Sequence, residues 1–249
     1  MGDVKNQWFG DKRDYFKFDL WLEVAEKVEA ISQLTYIPML TRSAPPYEKG
    51  KRRERLYDFL KYWHVPECRS ITRMRDFLGA ARFDYRPYRD NDEAGFRDGS
   101  WDAYFRDIQE DWLRDAAVLI DPDTGISPKK PDQPEKFVTL GNIAEVVGKS
   151  SGNSVVLVFQ YLQKNAELRE GDLTAKTQDL RRRVSERNGC GEFRWIAEKT
   201  KKGLGDRAFF LAPVNAQMSD DLERVLKAYA DNHGLEFELA RAVQGIAAP

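Results

Sequence analysis

Ala116-Ala-Val-Leu-Ile-Asp121-Pro122-Asp123-Thr-Gly125 is the stretch on which the fold reading turns. Its continuous apolar run reads as a strand buried on both faces, closed by two acids and a turn-forming glycine. The segment that feeds it, Trp101 to Arg114, carries Trp101, Tyr104, Phe105, Ile108, Trp112 and Leu113 at helical spacing. Downstream come a Pro/Lys-rich loop over Ser127 to Lys136, a helix from Thr139 through Val147, and a second apolar strand, Ser154 to Leu162 (SVVLVFQYL). Helices alternating with fully apolar strands imply a parallel sheet covered on both faces.

The alternation extends in both directions. Toward the start, Trp8 to Ile31 has helical spacing, with Asp11 or Asp14 placed to cap it. Leu34 to Leu40 (LTYIPML) reads as a strand interrupted by Pro38, Thr41 to Gly50 as a loop, and Glu54 to Trp63 as an amphipathic helix. Arg82 to Arg89 (RFDYRPYR) alternates aromatic and basic residues, but Pro87 argues against a central strand. Toward the end, Leu173 to Asn188 reads as a helix, with Gly191 to Ala197 and Arg207 to Pro213 as strands. A helix capped by Ser219 then runs through Tyr229, and Leu235 to Leu239 is a last strand. The expectation is one doubly wound α/β domain over 1–249, a mostly parallel sheet with helices on both faces, with room for an inserted helical cap over 42–100.

Composition agrees with a folded domain. The 249 residues are 41% hydrophobic, 12% aromatic and 33% charged, enough for a sizeable core. No apolar run approaches the roughly 18 residues of a membrane span. The polar start, Met1 to Asn6, shows no signal-peptide pattern, so the expected compartment is the cytoplasm. Cys68, Cys190, His64 and His233 are too few for a disulfide framework and make a poor metal set.

A net charge of −1 hides local asymmetry. Arg42 to Arg89 holds thirteen Lys/Arg against six Asp/Glu, and Asp90 to Asp123 holds eleven acids against three arginines. Lys176 to Lys202 is basic again, with nine bases and four acids. Lys51, Arg52 and Arg53, and Arg181, Arg182 and Arg183, are therefore candidate contacts to nucleic-acid phosphates. Solvated faces that neutralise the acidic block are the plainer explanation.

Three places can carry chemistry. Asp121 and Asp123 end a buried strand, the edge at which open α/β sheets bind ligands; they can accept hydrogen bonds, hold Mg²⁺ or share a proton. Asp-Pro-Asp-Thr-Gly is also good turn chemistry by itself. Gln160, at the end of the next strand, can hydrogen-bond a base edge, with Phe159 or Tyr161 stacking on it; core packing accounts for the aromatics equally. Gly10, Asp11, Asp14 and Lys17 sit where a helix begins, and helix N-termini offer free amide hydrogens to anions. No GxGxxG follows a strand, and Walker, HExxH and GxSxG motifs are missing.

The N-terminal Phe9-Gly-Asp-Lys-Arg-Asp-Tyr-Phe-Lys17 and the strand-ending Leu-Ile-Asp121-Pro together resemble class I S-adenosylmethionine-dependent methyltransferases. The resemblance is nearest to the ribosomal-RNA adenine N6-methyltransferases, whose chains open with Gly-Asn-x-Ala-Asp-x-x-Lys-His and whose fourth strand ends in Asp-Pro-Pro-Tyr. Gly10, Asp14 and Lys17 match the first motif, with Phe18 in place of His; Asp121 and Pro122 match the second, with Asp123 and Thr124 in place of Pro-Tyr. The family's Gly-rich first strand has no counterpart in Thr35 to Thr41. The resemblance implies a Rossmann-like methyltransferase fold, S-adenosylmethionine beside Asp14 and Lys17, and a target amine held by Asp121.

Two other readings stand beside it. Asp121-x-Asp123 also resembles the opening of haloacid-dehalogenase-type phosphatases, which implies Mg²⁺-dependent phosphoryl chemistry with Asp220-Asp221 as a distant acidic pair. The Thr two places past that family's second acid is missing here. The third reading is a catalytically inert member of the fold that binds nucleic acid or protein.

Overall fold

The computed structural model describes residues 12–39, 54–62, 74–78, 83–88, 101–127, 134–162, 165–200 and 203–238. In chain order the first elements are α1 (Lys12–Lys27), β1 (Gln33–Pro38), α2 (Glu54–Tyr62), α3 (Met74–Leu78) and β2 (Asp84–Pro87). The middle of the chain forms α4 (Asp102–Arg106), β3 (Ala116–Asp121), β4 (Gly125–Ile126), β5 (Phe137–Val138), α5 (Leu140–Lys149) and β6 (Val155–Tyr161). Then follow α6 (Arg169–Leu180), a widened helical turn over Arg181–Ser185, α7 (Glu186–Asn188), β7 (Arg194–Thr200), β8 (Gly203–Pro213), α8 (Ser219–His233) and β9 (Leu235–Phe237).

Seven strands form one sheet in the order β2-β1-β3-β6-β8-β7-β9, and β4 pairs with β5 apart from it. β2, β1, β3 and β6 are mutually parallel; β8 runs against β6, β7 against β8, and β9 against β7. The sheet is thus mostly parallel, but its last third is an antiparallel hairpin and a short edge strand. Hydropathy does not distinguish these directions, because a strand buried on both faces has the same apolar run either way.

Period-two alternation divides the core into two layers. Leu34, Tyr36, Ala117, Leu119, Val155, Leu157 and Phe159 pack with α1, α2, α3 and α8 on one face. Ala116, Val118, Ile120, Val156 and Val158 pack with α4, α5 and α6 on the other. Helices on both faces are therefore present, as the apolar strands require.

α1 is the most deeply set helix. From Tyr15 to Trp21 each side chain is buried, including Lys17 and Asp19. The Trp21 indole donates to the Ala117 carbonyl at 2.9 Å, and Phe16 meets Phe209 edge-on with ring centroids 5.2 Å apart. Asp19 accepts from the Tyr229 hydroxyl of α8. Lys17 reaches the end of β3 while Trp21 reaches its start, so α1 runs antiparallel to the strands and begins at their carboxyl edge.

The structure corrects two local expectations. Trp101 to Arg114 is not one helix: α4 stops at Arg106, and a single 3₁₀ turn over Glu110–Trp112 follows. Its aromatic residues are buried all the same. The carbonyls freed by that break are taken from outside: Lys149 donates to those of Arg106 and Ile108, and Gln33 to those of Asp111 and Arg114. Ser219 is the first residue of α8 and makes no capping hydrogen bond. Pro87 lies, as its chemistry requires, outside the centre of the sheet: it ends β2, whose outer side has no partner among the described residues. The proposed cap over 42–100 falls largely outside the described residues.

Thr139, where the sequence starts a helix, caps α5. Its hydroxyl accepts from Asn142 N at 3.0 Å while Asn142 Oδ1 accepts from Thr139 N at 3.2 Å, a reciprocal capping box. Thr139→Ala is expected to cost about 1 kcal/mol. For a chain of this size that lowers Tm by roughly 2–4 °C, which calorimetry would read.

Candidate functional site

The chain lays down β2 outside β1, then crosses back to place β3 on the other side of β1. The direction of strand progression reverses between β1 and β3, and such a switch point opens a crevice outside the carboxyl ends of the strands. The last rung of that pair is Pro38 opposite Asp121. Asp121 therefore stands at the switch point itself, with its side chain on the α1 face.

Three elements converge on it. Lys17 Nζ, from α1, is 2.7 Å from Asp121 Oδ2, and the Tyr36 hydroxyl, from β1, donates to the same oxygen at 2.6 Å. The Lys17 and Asp121 side chains are 8% and 9% exposed. β6 supplies a wall: Lys17 Nζ lies 4.9 Å from the centroid of the Phe159 ring, a cation–π contact. Phe159 in turn meets Tyr161 edge-on. One strand further, Arg207 stands opposite Tyr161, paired with Glu198 at 2.7 Å and 6.0 Å from the Phe16 ring. The result is a carboxylate, an ammonium, a phenol and an aromatic wall on one face, at one edge.

The sequence candidates separate in space. Lys17 and Asp121, which stand 104 residues apart, meet. Gln160 does not join them, because the strand period turns it to the opposite face from Phe159 and Tyr161. Its Oε1 accepts from Ile126 N at 2.8 Å and its Nε2 donates to the Tyr161 carbonyl, so it props the β4 turn. Gly125, at φ +133°, leaves room for that carboxamide, since a Cβ there would lie 2.6 Å from it. Asp123 is on this propped turn, 3.9 Å from Lys136 Nζ. Asp14 is in the first turn of α1, one turn before Lys17; Gly10 and Asp11 lie outside the described residues.

The basic candidates are likewise distributed. Lys51, Arg52 and Arg53 lie outside the described residues. Arg181 donates to the Phe193 carbonyl at 2.9 Å and lies 3.3 Å from Glu238, so it ties α6 to the far edge of the sheet. Burial pushes the Glu238 carboxyl up, partly offset by that arginine. Arg182 and Arg183 are exposed and share Asp179. Cys190 is buried, and desolvation raises its thiol despite a hydrogen bond from Ser185, the opposite of an activated nucleophile.

The phosphatase reading loses its second acidic pair. β8 ends at Pro213 opposite Val155, the first residue of β6, and α8 starts just beyond. Asp220 and Asp221 thus lie at the opposite edge of the sheet from Asp121, a strand length of roughly 20 Å away. An ammonium already sits on Asp121 where that chemistry needs a divalent cation. No group of three or more metal-ligating side chains occurs among the described residues.

Sequence reading missed Tyr36 and Arg207. Tyr36 shares with Leu34 the α1 face of β1, and an inward-facing strand tyrosine reads as core. Only the pairing of β1 with β3 brings its hydroxyl to the acid. No family model matches the chain, and no curated protein matches it.

Removing one member of a buried ion pair strands the other charge, at a cost of roughly 3–5 kcal/mol. Lys17→Met and Asp121→Asn are each expected to lose that much in urea unfolding, and the double variant much less than their sum. Additive losses would show that the two groups do not act as a pair.

Proposed function

We propose that the chain is a methyltransferase-like protein that binds S-adenosylmethionine and acts on, or binds, nucleic acid through the crevice at Asp121. The observation that carries the reading is the 2.7 Å contact between Lys17 and Asp121. These residues come from the two separate motifs on which the family resemblance rests. The contact supports reading both motifs as parts of one site, where either alone is weakly specific.

The residues present fit the charged part of the cofactor. Its sulfonium is a cation, and Phe159, with Tyr161 edge-on to it, offers an aromatic surface of the kind that receives one. α1 opens at this edge with a first turn that includes Asp14, whose backbone amides suit the cofactor's carboxylate. When bound, the cofactor supplies the methyl group. The chain's own part is to hold the acceptor amine on Asp121, with Lys17 neutralising the carboxylate, and to shield the site beneath α1 and β6. The strand after which the family places its Gly-rich turn is here β1, and the residues that follow Met39 lie outside the described ones. Exposed Arg182 and Arg183 are suited to contact phosphates, which makes any nucleic-acid affinity fall with salt.

Saturating S-adenosylmethionine, at about 100 times its dissociation constant, stabilises a binder by roughly 2.7 kcal/mol, or 5–10 °C in Tm for a chain of this size. A thermal melt of the full chain with and without the cofactor reads this directly. No shift at millimolar cofactor, together with nucleic-acid binding indifferent to it, would replace this reading with that of an inert binding member of the fold.

A further inference from the structure

We infer that Tyr36 is a positioning residue of this site: with Lys17 it occupies one carboxylate oxygen of Asp121, so that the other is the one offered to an N–H of the substrate base. This rests on the function proposed above and adds a residue that neither motif contains.

The argument is one of lone pairs. A carboxylate oxygen has about two acceptor positions, and Oδ2 of Asp121 receives two donors, Lys17 at 2.7 Å and Tyr36 at 2.6 Å. Oδ1 accepts no hydrogen bond among the described residues, and it is not one of the wholly buried unpaired atoms. The side chain is nine-tenths buried, so the little surface it keeps includes that oxygen. An oxygen with a little exposure and no donor from the described residues is the acceptor position the carboxylate keeps for a ligand.

Lys17 alone would not choose between the oxygens. Its ammonium is a point charge with rotatable donors on a flexible stem, and the terminal torsion of an aspartate is broad. The phenol, by contrast, is fixed. The Tyr36 ring is 4% exposed, edge-on to Phe18 at 5.4 Å and tilted against Trp21 at 6.1 Å. Its backbone is held by β3 on one side and by the Tyr88 amide on the other. A rigid hydroxyl aimed at Oδ2 fixes the plane of the carboxylate and leaves Oδ1 as the reader. An acceptor of that kind favours a base with an exocyclic amine over the same base without one.

The test compares binding of single-stranded oligo-dA with that of the same oligonucleotide made from purine, which lacks the amine, and includes a melt with S-adenosylmethionine. The full-length wild-type chain is expected to prefer oligo-dA at least tenfold. Tyr36→Phe keeps the ring and its packing; it is expected to retain the cofactor-induced melting shift while the preference falls below threefold. Replacing Tyr36 with 3-fluorotyrosine, which keeps the donor, is expected to retain the preference. A cofactor shift with the preference intact in Tyr36→Phe overturns the inference and leaves the proposed function standing. Loss of the preference in Tyr36→Phe without any cofactor shift in the wild type keeps Tyr36 in its role and removes the cofactor. Equal binding of the two oligonucleotides by the wild type overturns the inference outright.

Discussion

Two opposite charges buried to more than nine-tenths constrain everything around them. Lys17 and Asp121 come from α1 and from β3, an inner strand of the sheet, and neither is tolerable in the core without the other. For Lys17 to reach Asp121, α1 must lie flat on the sheet with its start at the carboxyl edge, which buries its flanks from Tyr15 to Trp21. That placement puts the Trp21 indole on the Ala117 carbonyl and Phe16 on Phe209. It also exposes α1 to α8 along its outer side, where Asp19 needs and finds the Tyr229 hydroxyl. A helix buried all round usually lacks charge. This one has two charged side chains in its most buried stretch, and each is matched by a specific partner on a different element.

The sheet edge is made stiff by unrelated means. Gln160 props the turn after Asp121 from the opposite face, Gly125 makes space for it, and the Tyr161 amide donates to the Thr124 carbonyl. The turn is further tied to the chain that returns as β5, through the Thr124 amide and the Lys136 carbonyl. Asp121 is thus held from its own side chain by Lys17 and Tyr36, and from its backbone by a pinned turn. A side chain fixed by both routes cannot relax when its surroundings change, which is the condition for a preorganised site.

How much of this was legible depends on which physical signal each feature left. β3 and β6 were readable to within a residue because a continuous apolar run between turn signals has few other readings. α1 was readable from spacing alone, and Thr139 from its side chain. The break in the helix after Arg106 was not readable, since it depends on Lys149 and Gln33 arriving from distant parts of the chain to take the freed carbonyls. Strand direction in the β7–β8 hairpin was hidden for the reason that hydropathy has no arrow. Gln160 is different: the period of two already set it on the opposite face from Asp121's aromatic neighbours, so the signal was present in the strand itself. Tyr36 left none, because its meaning lies in the register of β1 against β3.

The same pair argues for function from its energetics. Buried ion pairs are poor stabilisers: well-packed apolar residues of similar volume commonly do as well or better in their place. The neighbourhood of Lys17 and Asp121 would suit such a replacement, with the Phe159 ring beside the ammonium and the Tyr36 ring beside the carboxylate. Stability alone therefore gives no reason for an acid and a base at the one edge of the sheet where strand order reverses. A second cost points the same way. Two donors share a single oxygen of Asp121 while the other accepts none from the described residues, so the chain leaves hydrogen-bonding capacity of this acid unused. An ion pair kept for packing gains by spreading its donors over both oxygens, whereas Lys17 and Tyr36 both fall on Oδ2 of Asp121.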